Sequence, residues 1–213
     1  MPSAADFLPP NRTLEALAAA ASGCRGCELY KDATQTVFGQ GQSSARLMLV
    51  GEQPGDKEDK EGEPFVGPAG RLLDKALEQA GIDRSEAYVT NAVKHFKWKP
   101  RGSRRLHQTP RVGEIEACKP WLQAEVQAVE PAAVLAMGAT AARSLFGPKV
   151  KVTKDRGKPL DSPLAPVAAV TIHPSAILRL RDHDEREAEF AGFVADLEGV
   201  AAGLRGFAEG VER

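Results

Sequence analysis

Leu47-Met48-Leu49-Val50-Gly51-Glu52-Gln53-Pro54-Gly55 opens with four consecutive apolar residues and closes on a polar turn bounded by glycine and proline. An apolar run that short, ended by turn residues, reads as a strand buried on both faces. Similar runs follow at Ala87–Thr90, Ala133–Met137 and Val167–Thr171. Helical periodicity lies between them. Gly70–Ala80 carries Leu72, Leu73, Ala76, Leu77 and Ala80 on one stripe, and Gly81 follows as a C-cap signal. Val112–Val129 carries Ile115, Cys118, Leu122, Val126 and Val129, and Ala139–Phe146 is closed by Gly147-Pro148. Leu14–Ala21 and Glu185–Leu204 supply helices at the two ends, the second turning Phe190, Phe193, Val194, Leu197 and Val200 inward. Strands joined by helix-length connections predict parallel βαβ units. The fold expected is α/β, a three-layer α/β/α sandwich with a central four-stranded parallel sheet, with residues 1–213 as one domain. The first ten and last eight residues are expected to be irregular.

In open α/β sheets ligands bind outside the carboxyl ends of the strands. Strand one ends in Gly51-Glu52-Gln53, strand two in Asn91-Ala92-Val93-Lys94-His95, strand three in Gly138-Ala139-Thr140 and strand four in His173-Pro174-Ser175. A carboxylate, two amides, a histidine and glycines that expose backbone N–H groups thus gather at one edge, which predicts an active site there. Gly39-Gln40-Gly41 precedes the first strand and opens no helix, so it is a turn and not a dinucleotide fingerprint.

The chain has 28 Lys+Arg against 29 Asp+Glu, a net charge of −1, and 42% hydrophobic residues. No apolar run reaches the roughly 18 residues of a membrane helix, and residues 1–8 lack the basic and apolar regions of a secretory signal. Three cysteines make an odd number, unlike a secreted disulfide framework, so the expected location is cytoplasmic. The near-neutral total conceals an uneven distribution. Lys94, Lys97, Lys99, Arg101, Arg104, Arg105 and Arg111 fall in one stretch without an acid, and the remainder of the chain carries the balancing negative excess. Phe96 and Trp98 interleave the lysines, and Pro100, Gly102, Ser103 and Pro110 predict a loop. A basic loop with aromatics (about residues 94–111) suits a phosphate backbone with stacked bases.

Cys24-Arg25-Gly26-Cys27 is a C-x-x-C pair after the N-terminal helix, in a loop at about residues 20–30. Cys118 is the third thiol, and His95, His107, His173 and His183 are candidates for a fourth donor. A Cys3His set suits zinc or an iron–sulfur cluster equally by ligand type.

Taken together, these motifs resemble the iron–sulfur (family 4) branch of the uracil-DNA glycosylase superfamily. They are Cys24/Cys27, Gly51–Gly55, Pro64-Phe65-Val66-Gly67-Pro68-Ala69-Gly70, Thr90-Asn91-Ala92-Val93-Lys94, Cys118-Lys119-Pro120, Ala136-Met137-Gly138-Ala139-Thr140-Ala141 and His173-Pro174-Ser175. Three departures from the branch pattern, Gln53, His95 in place of a fourth cysteine, and Arg104-Arg105-Leu106-His107, match its UdgX-like subgroup, which joins itself covalently to uracil-containing DNA. Ser103 and Leu106 stand where that subgroup's loop has Lys and Ile. The resemblance implies a [4Fe–4S] cluster on Cys24, Cys27, His95 and Cys118, with zinc the lesser alternative. It implies that Phe65 stacks on uracil, that Asn91 reads its polar edge, that Gly51 and Gln53 line the base site, and that backbone N–H groups around Gln53 take a catalytic part by helping to bind the uracil oxygen as it becomes anionic. His173 would donate to the uracil oxygen, Glu52 would stabilise the cationic sugar, and His107 would attack C1′. Lys94, Arg104, Arg105 and Ser175 would contact DNA. The partner implied is uracil-containing DNA, with no membrane and a monomeric protein. A conventional turnover glycosylase and a non-catalytic iron–sulfur DNA-binding protein are the alternative functions.

Overall fold

The computed structural model describes residues 2–211. Four strands form a parallel sheet in the order β2-β1-β5-β6: β1 (Leu47–Gly51), β2 (Ala87–Asn91), β5 (Ala133–Met137) and β6 (Val167–Thr171). The helices are α1 (Leu14–Ala21), α2 (Asp56–Glu61), α3 (Pro68–Gln79), α4 (Val112–Val129), α5 (Ala139–Phe146), α6 (Val152–Asp155), α7 (Pro174–Leu178) and α8 (His183–Val211). Alternation along the strands sorts the core into two layers. Leu47, Leu49, Leu135 and Met137 pack with Leu73 and Leu77 of α3 and with Phe190, Phe193 and Leu197 of α8. Met48, Val50, Val134 and Ala136 face Leu122, Val126 and Val129 of α4 and Ala141 and Ala142 of α5. The predicted three-layer α/β/α sandwich is therefore the observed fold. Backbone bonds cap both sheet edges: Gln40 pairs with Val89, and Gly157 and Leu160 donate to Val170 and Ala168. Among the described residues, no helix is long and apolar enough to cross a membrane.

Three expectations change. The N-terminus is not irregular: Ser3 caps a 3₁₀ turn over Ala4–Phe7, and Ala4 is buried against α4 and the cysteine loop. At the other end α8 continues to Val211, and residues 1, 212 and 213 lie outside the described residues. The basic segment is a β-hairpin as well as a loop, with β3 (Trp98–Arg101) antiparallel to β4 (Arg104–His107). Pro100 and Gly102 disguised it, yet a two-stranded ribbon tolerates a proline on its free edge. Gly102 has φ +58° and makes the tight turn between the strands. Helix α2 was also unforeseen. Its sequence, Asp56-Lys57-Glu58-Asp59-Lys60-Glu61, has no apolar stripe, and its start is set by the Glu58 carboxylate accepting the Gly55 N–H.

Lys94 and Glu125 are fully buried and pair at 2.5 Å. Glu125 also accepts from the Tyr88 hydroxyl, the Thr90 hydroxyl and the Gly39 N–H, while the Lys94 ammonium donates to the Thr90 hydroxyl and the Asn91 carbonyl. Burial and the neighbouring carboxylate push the Tyr88 phenol up, so it remains a donor. Lys94 is thus an internal strut and not a DNA contact, which corrects its assignment. Lys94→Met strands the Glu125 carboxylate without its cation and is expected to lower unfolding free energy by about 3–5 kcal/mol, read by denaturant titration. A loss under about 1 kcal/mol would show the pair to be dispensable.

Candidate active site

The carboxyl ends of the strands open into a cavity of about 940 Å³ whose lining includes Glu52, Gln53, Phe65, Asn91, His107 and His173. The sequence placed these residues at one edge by strand assignment alone, except Phe65, which enters from the turn before α3, and His107, which enters from the hairpin.

Glu52 follows β1 directly, and its two oxygens have different neighbours. Oε2 accepts the Thr140 hydroxyl at 2.7 Å, and Oε1 lies 3.3 Å from His107 Nε2. Thr140 begins α5, so the end of β5 orients a side chain carried by β1. Thr140 lies in the Ala136–Ala141 motif, and no local sequence pattern marks its contact with a residue 88 positions away. Desolvation lowers the His107 pKa, Glu52 raises it and Arg179 lowers it, with a net downward shift. The ring is therefore neutral at neutral pH, with a free nitrogen lone pair.

Asn91 ends β2, and its Oδ1 is buried with no hydrogen-bond partner among the described residues. A buried amide oxygen without a donor is costly, so this atom is set to receive an N–H from a ligand. A side chain on Gly51 would lie 2.5 Å from that oxygen and 2.6 Å from the Phe65 ring, so only glycine lets the amide and the aromatic ring come this close. Phe65 holds φ +60°, an uncommon conformation for a non-glycine residue, of the kind concentrated at functional sites. Its ring centroid is 6.0 Å from that of His173. Glu58 ties the two loops of this wall together, accepting the Gly55 N–H at 3.1 Å and the Gly67 N–H at 2.8 Å.

His173 follows β6, and its Nδ1 accepts the Ser175 backbone N–H at 3.2 Å and meets the Ser175 hydroxyl at 2.9 Å. Burial lowers its pKa well below the ordinary histidine range, helped by Arg179 and His107, so the ring is neutral. With Nδ1 accepting, the proton sits on Nε2. Ser175, expected at DNA, serves this ring and also accepts from Arg179 at 3.1 Å.

Gln53 lines the cavity, and its side chain also reaches the hairpin. Its amide donates to the carbonyls of Lys97 and Gln108, at 3.2 and 3.1 Å, and accepts the Lys97 N–H at 3.0 Å. It thereby clamps both roots of the hairpin that carries His107. Arg105 clamps the hairpin's flank, binding Asp56 at 2.5 Å and Asp59 at 2.6 Å and lying over the Phe96 and Trp98 rings. Only 17% of its side chain is exposed, so Arg105 is a latch on α2 and not the phosphate contact expected of it. Lys97 pairs with Glu114, and Phe96 is buried, which removes it as a surface for stacking bases. The predicted basic surface contracts to Lys99, Arg101, Arg104 and Arg111, which are exposed and form no salt bridge among the described residues.

Cys24, Cys27 and Cys118 are free thiols gathered in one apolar cluster with Leu17, Ile115 and Trp121. The Trp121 indole N–H donates to Cys24 Sγ at 3.2 Å and the Lys94 backbone N–H to Cys118 Sγ at 3.3 Å. Such donors favour sulfur in its anionic, ligating form. Burial nonetheless pushes the metal-free Cys118 thiol up to about 12, raises Cys27, and holds His95 near 4. Among the described residues, no three His, Cys, Asp or Glu side chains converge as a single metal ion requires. An iron–sulfur cluster instead takes thiolates on separate irons, so three thiols, two buried and one half-buried, with the buried His95 imidazole fit a cluster by the chemistry of the donor set.

Residues 38–198 match the family model described as the uracil DNA glycosylase superfamily. A type-4 uracil-DNA glycosylase of Thermotoga maritima is 41% identical over 165 residues, covering 76% of this chain and 82% of that protein. A protein of the same name from Pyrobaculum aerophilum is 36% identical, covering 73% and 80% respectively, and one from Archaeoglobus fulgidus is 34% identical, covering 78% and 84%.

Gln53→Ala deletes three hydrogen bonds at the hairpin root. At about 1 kcal/mol each, their loss should speed amide exchange across residues 98–107 by tenfold or more. Exchange in β1 and β5 should be unchanged; equal protection of the hairpin in both proteins would rule out the clamp.

Proposed function

The chain belongs to the uracil-DNA glycosylase superfamily, and from that membership we propose that it excises uracil from DNA and then retains the sugar through a covalent bond to His107. This places it in the UdgX-like subgroup, with residues 1–213 acting as one domain. The observation that carries the reading is His107 Nε2 at 3.3 Å from Glu52 Oε1, at the mouth of a cavity that holds an unpartnered Asn91 oxygen. A phosphate-binding loop has no need of an imidazole beside that carboxylate.

The target base must leave the stack to enter such a cavity. Phe65 supplies a flat face for it. Asn91 supplies selectivity, because its oxygen accepts the N3–H that uracil has and cytosine lacks. Neutral His173, with its proton on Nε2, donates to the uracil oxygen as negative charge develops there, and the backbone at Gly51 and Gln53 lines the same site. Glu52, steadied by Thr140, opposes the positive charge growing on the sugar. The C1′–N1 bond breaks with its electron pair leaving on uracil. A lone pair of the His107 ring bonds to C1′, and the proton released from that ring passes to Glu52. Arg104, with Lys99, Arg101 and Arg111, faces the DNA phosphates. Cys24, Cys27, His95 and Cys118 are read as the ligands of a [4Fe–4S] cluster, which when bound supplies a covalent tie between the N-terminal loop and α4.

The type-4 relatives favour one alternative, a conventional glycosylase that uses water in place of His107. The separating experiment incubates the protein with uracil-containing or thymine-containing DNA and runs the mixture in denaturing detergent. A persistent protein–DNA band is expected with uracil only and is expected to vanish in His107→Ala. Free uracil without that band would identify the conventional enzyme, and equal salt-sensitive binding to both DNAs a non-catalytic binder. Glu52→Gln should slow band formation by about 10²–10⁴-fold. The band should form at full rate through neutral pH. As pH falls, the rate should drop as His107 gains a proton and loses its lone pair, and the downward shift of its pKa puts that drop below about 6.5. A rate that falls as pH rises through 7 would contradict this nucleophile.

A further inference from the structure

Thr36 lies away from the cavity, and nothing in the proposed reaction uses it. Its hydroxyl oxygen is 2.9 Å from the Ala21 carbonyl and 2.9 Å from His95 Nε2. A carbonyl can only accept, so the single hydroxyl hydrogen is committed to Ala21. The hydroxyl therefore meets His95 as an acceptor, and Nε2 must carry the proton. A neutral imidazole has one N–H, which leaves its lone pair on Nδ1. The neighbouring backbone holds this arrangement in place: Val37 N–H donates to the Lys94 carbonyl at 2.8 Å, so residues 36 and 95 stay side by side. The Ala21 carbonyl, at the end of α1, also accepts the Cys24 N–H at 3.0 Å. One carbonyl thus links the backbone of a cysteine in the C-x-x-C pair to the ring of His95.

We propose that Thr36 is a positioning residue that fixes the tautomer of His95 and presents Nδ1, not Nε2, as the atom that ligates iron. This inference rests on the iron–sulfur reading given above. Partners of this kind, a hydrogen bond on the second nitrogen of a ligating histidine, orient the ring and raise its basicity. Thr36 sits on the segment between α1 and β1, where a lone polar residue carries no sequence signal of such a role.

The test uses the whole protein, purified without oxygen and assayed for iron and sulfide. Histidine labelled with ¹⁵N at Nδ1 alone, or at Nε2 alone, is incorporated, and the chemically reduced sample is examined by pulsed electron paramagnetic resonance. Strong hyperfine coupling to Nδ1 is expected; strong coupling to Nε2, or coupling to neither label, overturns the assignment. In parallel, Thr36→Val removes the hydroxyl with little change of volume, and Thr36→Ser keeps it. Under chelator, absorbance of the Thr36→Val cluster is expected to bleach about tenfold or more faster than that of the natural protein, with Thr36→Ser close to natural. Identical bleaching of all three overturns the positioning role, and the labelling experiment decides the ligating atom even if Thr36→Val does not fold. A natural protein free of iron and sulfide removes the cofactor reading and this inference with it, whereas a loaded protein with strong Nε2 coupling removes this inference alone.

Discussion

Lys94 and Glu125 are both out of contact with water, and the charge of each is answered by the other and by a ring of hydroxyl, carbonyl and N–H groups, with the Phe38 ring beneath the ammonium. Two charges taken out of water are tolerable only when geometry and hydrogen bonding compensate almost completely. That demand locks β2 to α4. Asn91 keeps its backbone fixed through its carbonyl, Cys118 is held by the Lys94 N–H, and Gly39 is held by Glu125. The Asn91 amide at the cavity and the thiol cluster are therefore two ends of one rigid unit, and the tie between them is electrostatic as much as apolar.

The hairpin is placed by a different means. It has no core of its own, and two strands of four residues are marginal in isolation. Gln53 holds its roots from the end of β1, and Arg105 binds its flank to Asp56 and Asp59 on α2. These contacts put His107 beside Glu52. Cations that looked like a uniform DNA-binding stretch thus divide into struts, Lys94, Lys97 and Arg105, and the outward group Lys99, Arg101, Arg104 and Arg111. The acids of α2 are the counterpart: Glu58 shapes the cavity wall while Asp56 and Asp59 anchor the hairpin.

The strands were legible because a buried parallel strand must be apolar on both faces, and α4 and α5 because their stripes keep helical spacing. That Glu52, Asn91 and His173 gather at one cavity was legible for a geometric reason: parallel strands end on the same side of a sheet. The side-chain task of Gln53, bonding Lys97 and Gln108 at the hairpin root, had no sign in the sequence, because its partners lie more than forty residues away. The polar side chain of Thr140 looked like any helix start until α5 brought it to Glu52. Arg105 and Lys94 were misjudged because charge counted along a chain says nothing about where the opposite charges fold back to meet it.

By itself the sequence determined the layer architecture and the edge of the sheet where polar groups collect, since the first follows from local periodicity and the second from the common direction of parallel strands. Only the tertiary structure decided which cations face outward, which carboxylate meets His107, and which hydroxyl meets His95. Those pairings join residues far apart in sequence, such as Arg105 with Asp56 and Asp59 or Lys94 with Glu125. Their partners are chosen by how the layers pack, and no local pattern of residues encodes that.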